Sequence, residues 1–180
     1  MIEQFGRLIG LLATLKDAGS LSGYALAGGL AVSVWSPPRA TEDVDLLVLV
    51  DGFSGASTLT KGLSDAGLSA ELRKGGFDDP IPCLIVVNLD GVPVDLIVAT
   101  RKWEAEAVNS ARLIPLLGQS VPVIAPEYLV AMKLRAGGPK DILDARNILD
   151  AGEVNREMLF DLTARLGVAQ ELEYFCKKHC

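Results

Sequence analysis

One histidine, three cysteines and an aromatic share of 6% are what this 180-residue chain has least of. With His179 as the only imidazole, histidine-based general-base chemistry has almost nowhere to live. Cys83, Cys176 and Cys180 make a poor disulfide framework in a chain of this size. Cys176, His179 and Cys180 could be drawn as a terminal metal site. No second ligand cluster exists, so thiols and an imidazole on a terminal helix is the preferred reading. Long apolar runs are missing as well: the longest, Leu46 to Val50, is strand-sized, so no membrane partner is expected. Neither a basic leader nor a small-residue cleavage site accompanies MIEQFGRLIGLLATLKDAG. Its Phe5, Leu8, Ile9, Leu12 and Leu15 have the spacing of an amphipathic helix, and a cytoplasmic location is the expectation. Basic residues are in deficit, 17 against 23 acidic, for a net charge of −6, which argues against a dedicated nucleic-acid coat.

What is present is enough for a core: 49% of the residues are apolar and 22% charged. The pattern predicts an α+β (mixed α/β) fold, a small mixed β-sheet core with helices over residues 1–120. A helical C-terminal part over 121–180 is expected to pack on that core as one compact unit. Tyr24 to Ala27 reads as a short buried strand running into Gly28-Gly29, and Leu30 to Trp35 as a helix stopped by Pro37-Pro38. Val44 to Val50 suits a strand buried on both faces, and Gly55 to Ala66 a helix ended by Gly67. In CLIVVNLDGVPVDLIV two apolar runs flank Asp90-Gly91, the signal of a hairpin with a type I′ turn. Pro93 there calls for a position whose N–H is not needed. From Arg101 onward the chain reads as mostly helical. Pro126 opens one helix, Gly137-Gly138 ends it, Pro139 opens the next, and a last stretch from Glu157 to Lys178 breaks near Gly167.

Within this frame three aspartates stand out. Asp43 and Asp45 are two apart at the start of a strand, so their carboxylates aim to one side. Asp95, between Val94 and Leu96, is a lone charge inside another apolar strand. A carboxylate in such a setting is paired, hydrogen-bonded or bound to a metal. The three together predict a Mg²⁺ site, with Mn²⁺ as the alternative ion. A strand ending in Gly28-Gly29 and opening a helix exposes backbone N–H groups to an anion, and a polyphosphate is the anion most often met beside Mg²⁺.

A hydrophobic residue, Gly-Gly, thirteen intervening residues and Asp-x-Asp resemble the signature of the DNA polymerase β-like nucleotidyltransferase superfamily. Arg39 and Thr41 in RATEDVDL, and Lys133, Lys140, Asp141 and Asp144 in PEYLVAMKLRAGGPKDILDARNIL, bring the pattern closest to the AbiEii-type, toxin-like nucleotidyltransferases. The resemblance spans roughly Tyr24 to Leu149. It departs where many members have Gly-Ser in place of Gly28-Gly29, and where Gly137-Gly138-Pro139 precedes Lys140 without a basic residue.

The resemblance implies a Mg-dependent enzyme that moves a nucleoside monophosphate from an NTP to a hydroxyl on RNA or tRNA, a protein or a small molecule. It implies catalytic and metal-holding roles for Asp43, Asp45 and Asp95. Nucleotide and phosphate contacts would fall to Gly28, Gly29, Arg39, Thr41, Lys133, Lys140 and Asp141. A place as the toxin of a toxin–antitoxin pair, with an antitoxin as partner, is a further expectation of the resemblance alone. Each residue also has a plainer role. Gly28-Gly29 makes a tight turn, Arg39 caps a loop, Thr41 makes a local turn contact, Lys133 snorkels, and Asp141 and Asp144 pair with basic neighbours. Two other classes compete with the enzyme: a binding module that keeps the fold without catalysis, and a DxD phosphohydrolase. The second would want Thr at position 47, where Leu47 stands.

Overall fold

The computed structural model describes residues 2–41, 43–76 and 81–179. Among them eight helices and seven strands alternate in a mixed α/β arrangement. The chain divides into two compact units. The sheet unit comprises Met1–Leu30 and Thr41–Ile124, and the helical unit Ala31–Ala40 and Ala125–Cys180.

The sheet unit holds all seven strands. In chain order these are β1 (Gly23–Leu26), β2 (Val44–Leu49), β3 (Ser69–Lys74), β4 (Cys83–Leu89), β5 (Val92–Val98), β6 (Arg112–Leu116) and β7 (Gln119–Val123). They form one sheet of order β3-β4-β5-β2-β1-β7-β6. β2 runs parallel to β5 and β1 parallel to β7, while the remaining pairs are antiparallel. The helices of this unit are α1 (Ile2–Asp17), the first turn of α2 (Gly28–Trp35), α3 (Gly52–Asp65) and α4 (Lys102–Asn109).

Alternation sorts the strands into two faces. Val44, Leu46 and Val48 of β2, Ile85 and Val87 of β4, and Val94, Leu96 and Val98 of β5 are buried on one face. Leu8 and Leu12 of α1 and Leu59 and Leu63 of α3 are buried with them in the same unit. Tyr24, in register with Val48, reaches α1 by donating its hydroxyl to the Ile9 carbonyl. On the other face Val108 of α4 lies beside Gly23 and Leu49. Farther out, Leu84, Val86 and Ile97 of β4 and β5 are only half-buried.

The Asp90-Gly91 hairpin is present, with φ of 52° and 90°, and the Gly91 N–H is held by the Asn88 side chain. Pro93 lies just outside the register with β2, which starts at Val44 opposite Val94, so its missing N–H costs no ladder bond. The chain is less helical after Arg101 than the pattern predicted, because Arg112–Leu116 and Gln119–Val123 form a second hairpin around Leu117-Gly118. Pro115 and Pro122 sit opposite Ser120 and Leu113 in its ladder. Counting outward from the two-residue turn, these are non-hydrogen-bonded pairs, so neither proline breaks the pairing. Ser69–Lys74 was likewise not foreseen as a strand; it is an edge strand whose outward residues Ser69, Glu71 and Arg73 are polar.

In the helical unit, the remainder of α2 precedes α5 (Pro126–Ala136), α6 (Pro139–Ala151), α7 (Arg156–Leu166) and α8 (Ala169–His179). Proline opens α5 and α6, and Gly137, Gly152 and Gly167, all at positive φ, close α5, α6 and α7. The break at Gly167 separates α7 from α8 as the sequence suggested. α5 packs on α6 and α7, and α7 on α8. Buried Glu127 accepts the backbone N–H of Asn155, whose own side chain caps α7 at Met158. Cys83 is a buried free thiol, while the side chains of Cys176 and His179, and Cys180 itself, lie outside the description.

Candidate active site

β1 and β2 are antiparallel, so the C-terminal end of β1 and the start of β2 share one end of the sheet. Leu26 pairs with Leu46, and the Ala27 N–H donates to the Asp45 carbonyl at 2.8 Å. The chain then turns into α2 at Gly28, at φ 57°. A Cβ built on Gly28 would lie 1.8 Å from Asp45 Oδ2 and 2.5 Å from its Cγ. Gly28 is therefore required twice, by its left-handed backbone and by the carboxylate that occupies the place of a side chain. Gly29 continues the first turn of α2, which has no acidic residue in it.

Asp45 and Asp95 stand directly opposite each other in the parallel pairing of β2 and β5. Neighbouring strands are about 5 Å apart, so the two carboxylates leave the same face side by side. Asp43, exposed and two residues before Asp45, is held by the Thr41 hydroxyl, which donates to its Oδ1 at 2.7 Å. Burial raises the Asp95 carboxyl above the ordinary aspartate range, and the charge of Asp43 raises it further. Arg73 acts in the opposite direction from β3, where its Nη2 is bound to Glu71 Oε2 at 2.9 Å. Among the described residues no three His, Cys, Asp or Glu side chains form a ready-made cage for a metal. The donor set is nevertheless all carboxylate oxygen, the chemistry that suits Mg²⁺ or Mn²⁺.

The helical unit gathers a second set. Arg39 Nε donates to Asp144 Oδ1 at 2.6 Å and Nη2 to Oδ2 at 2.7 Å, a bidentate fork. Lys133 Nζ bridges Asp144 Oδ2 at 2.9 Å and Asp141 Oδ1 at 2.8 Å. The Asp144 side chain is 0% exposed, Lys133 14%, Arg39 20% and Asp141 27%. Burial opposes the charge of Lys133, but hydrogen bonds to Asp141 and Asp144 outweigh it and hold the ammonium above its usual range. Burial likewise opposes ionisation of Asp144, and bonds to Arg39 and Lys133 outweigh it and hold the carboxyl below its usual range. Asp141 and Asp144 pair with basic neighbours, the plainer role read for them, whereas the Thr41 hydroxyl binds the Asp43 carboxylate. Lys140 is exposed on the first turn of α6, outside this cluster.

Of the residues singled out in the sequence, Gly28, Gly29, Thr41, Asp43, Asp45 and Asp95 belong to the sheet unit, and Arg39, Lys133, Lys140 and Asp141 to the helical unit. Sequence reasoning did not find the closeness of Gly28 to Asp45 or the nearness of Arg73 to Asp95, and it paired Asp144 with basic neighbours without naming Arg39 and Lys133 as the two.

A family model described as "Nucleotidyl transferase AbiEii toxin, Type IV TA system" matches residues 10–176. No curated protein matches the chain by sequence. Among solved structures, the solution structure of the antibiotic-resistance factor ANT(2'')-Ia is similar with a TM-score of 0.61 at 16% identity, covering 99% of this chain and 100% of that one. The crystal structure of ANT(2'')-Ia with adenylyl-2''-tobramycin gives 0.52 at 14%, covering 97% and 98%. The Thermotoga maritima protein TM1012, assigned as a nucleotidyltransferase, gives 0.51 at 17%, covering 81% and 94%. At these identities the structures speak for the fold.

Proposed function

Because the chain belongs to the AbiEii nucleotidyl transferase family and is a nucleotidyltransferase, we propose that it moves a nucleoside monophosphate from an NTP to a hydroxyl acceptor with Mg²⁺. The observation that carries this reading is the pair Asp45 and Asp95, opposed on adjacent parallel strands, with Gly28 pressed against Asp45. Asp43, Asp45 and Asp95 would hold the divalent ion, which when bound supplies charge stabilisation to the phosphoryl groups. Thr41 orients Asp43 through its hydroxyl. Asp95 takes the proton of the attacking hydroxyl. The acceptor oxygen bonds to the α-phosphorus, the bond from that phosphorus to the bridging oxygen breaks, and pyrophosphate leaves. Gly28 and Gly29 offer backbone N–H groups at the start of α2. Arg39, Lys133 and Lys140 supply positive charge for phosphate oxygens, and Asp141 holds Lys133.

The family description places its members in Type IV toxin–antitoxin systems, which supports a toxin role here with an antitoxin protein as partner. RNA, protein and small hydroxylated molecules all remain in the acceptor class. Incubation with each α-labelled NTP, Mg²⁺ and, in turn, total tRNA, lysate protein and small hydroxylated molecules tests the proposal. Label is expected on one acceptor class and is expected to vanish with Asp43→Ala. No transfer from any NTP would overturn it.

A further inference from the structure

We propose that the acceptor lies over the open face of β5, β4 and β3, on an aliphatic floor of Ile97, Leu84 and Val86, and that it is a small hydroxylated amine whose ammonium is selected by Glu71. The inference rests on the nucleotidyl transfer proposed above and names the acceptor class of that same site. Two rows of side chains cross this face in register. One runs Asp45, Asp95, Val86, Glu71, and the other Leu47, Ile97, Leu84, Arg73. Exposure grows outward along both. Leu47 is buried, the aspartates and the three floor residues are half-buried, and Glu71 and Arg73 are exposed. A sheet face turned to solvent ordinarily carries polar residues at alternate positions. Here the half-open face keeps aliphatic side chains beside the carboxylates, while α4, the helix on this side, packs on β2 and β1.

The direction of the acceptor follows from what surrounds Asp45. On the β1 side its carboxylate fills the place of a Gly28 side chain, and α2 begins there. On the other side it meets Asp95 and then Val86. A hydroxyl held at Asp45 and Asp95 therefore has the rest of its molecule over Val86 and outward to Glu71, across two strand spacings, about 10 Å. Neither row carries an aromatic side chain, the platform on which an unpaired base would stack. Charge favours a cation there. Three aspartates and the phosphates of an NTP share a divalent ion in a chain of net charge −6. Glu71 extends the aspartate row at its outer end, and Arg73 Nη2 meets its Oε2 at 2.9 Å with side chains 66% and 56% exposed. Oε1 takes no partner among the described residues. An ion pair so exposed contributes little and exchanges readily, so Arg73 holds the place that the acceptor's ammonium takes. The amine takes no part in bond-making. Its neighbouring hydroxyl oxygen joins the α-phosphorus, the proton passes to Asp95 and pyrophosphate leaves.

The full chain with Mg²⁺ and the α-labelled NTP it uses is offered total tRNA, extract protein, and the small-molecule fraction of the same cell extract, untreated or N-acetylated in aqueous bicarbonate. Label is expected on the untreated small-molecule fraction and is expected to fall sharply after N-acetylation. Losing a hydrogen bond to a charged group corresponds to roughly 10–100-fold in binding, and exposure puts Glu71 at the lower end. Glu71→Gln should raise the amount of that fraction needed for half-maximal rate by about 10-fold, with KM for the NTP unchanged. Arg73→Ala should leave that amount unchanged or lower it. If the pair served only to hold the β3 edge, both variants would shift alike. Val86→Lys sets an ammonium on the floor itself and should abolish the transfer while NTP binding persists. Should it fail to fold, Glu71→Gln on the exposed edge decides. Label confined to tRNA or protein, equal labelling of the untreated and N-acetylated fractions, or a wild-type response in Glu71→Gln overturns the inference. A wild-type protein that transfers no label from any NTP to anything sinks the parent proposal instead, so the two failures are told apart.

Discussion

An alanine methyl at position 28 would have to occupy the space of the Asp45 carboxylate, 1.8 Å from Oδ2, on a backbone at φ 57°. The left-handed backbone alone costs about 1–2 kcal/mol for a residue with a Cβ. The clash can be relieved only by moving Asp45. Since misplacing a reacting group by about 1 Å costs on the order of 10²-fold, Gly28→Ala is expected to lower kcat by at least that factor. Circular dichroism should show the helices retained. Asp95 has the opposite balance of stability and function. Its carboxylate is half-buried and opposed by Asp43, so ionisation works against the fold. Asp95→Asn keeps the shape and removes both the charge and the proton acceptor. It should raise the metal-free thermal midpoint at neutral pH while lowering kcat by roughly 10²–10⁴-fold; an active variant would remove Asp95 from the mechanism. These acids were legible in the sequence because charges inside apolar strands are rare and need a reason. The contact between Gly28 and Asp45 was not, because a Gly-Gly pair reads equally as a turn or as a phosphate cradle, and only coordinates show which atom fills the missing side chain.

At the scale of elements, legibility followed turn chemistry. Asp90-Gly91 announced its hairpin because both residues tolerate positive φ. Leu117-Gly118 forms the same kind of turn with a leucine at φ 51°, 55% exposed, where sequence preference offers no warning. Two prolines in the flanking strands made that segment look still less like a ladder, although both occupy positions that need no N–H toward the partner strand. β3 escaped notice for another reason. An edge strand with one open face carries Glu71, Arg73 and Lys74, and its composition is that of a loop. The leucine suggests a correction that the protein should accept. Leu117→Asn supplies the residue that a type I′ turn prefers and removes an exposed apolar side chain, so it should stabilise by about 0.5–1 kcal/mol. Chemical denaturation would show this as a higher midpoint at unchanged slope. A lower midpoint would mean that Leu117 contributes packing the turn cannot spare.

Across the whole molecule the charges set a pH window. The chain carries −6 at neutrality and reaches zero net charge near pH 4.8, so solubility should be lowest there. Stability follows a different course, because the two perturbed aspartates have opposite signs. The folded Asp95 carboxyl is raised above 3.8, so its charge is a burden at neutral pH that lifts as pH falls through the raised value. The folded Asp144 carboxyl is depressed below 3.8, so its contribution is complete above that value and is lost as pH falls through the depressed one. Lys133, raised above 10.5, contributes fully below that pH and loses its part as pH rises through the raised value. Thermal midpoints of the metal-free protein should therefore hold or rise as pH falls from neutrality through the raised Asp95 value, and drop only as it falls on through the depressed Asp144 value, after the solubility minimum rather than with it. Asp144→Asn should flatten the acid limb, since the depressed Asp144 carboxyl is then gone. Asp95→Asn should remove the gain that accompanies protonation of Asp95. Midpoints that fall steadily from neutrality in the wild type would contradict both assignments, because neither a raised Asp95 nor a depressed Asp144 destabilises the fold in that range.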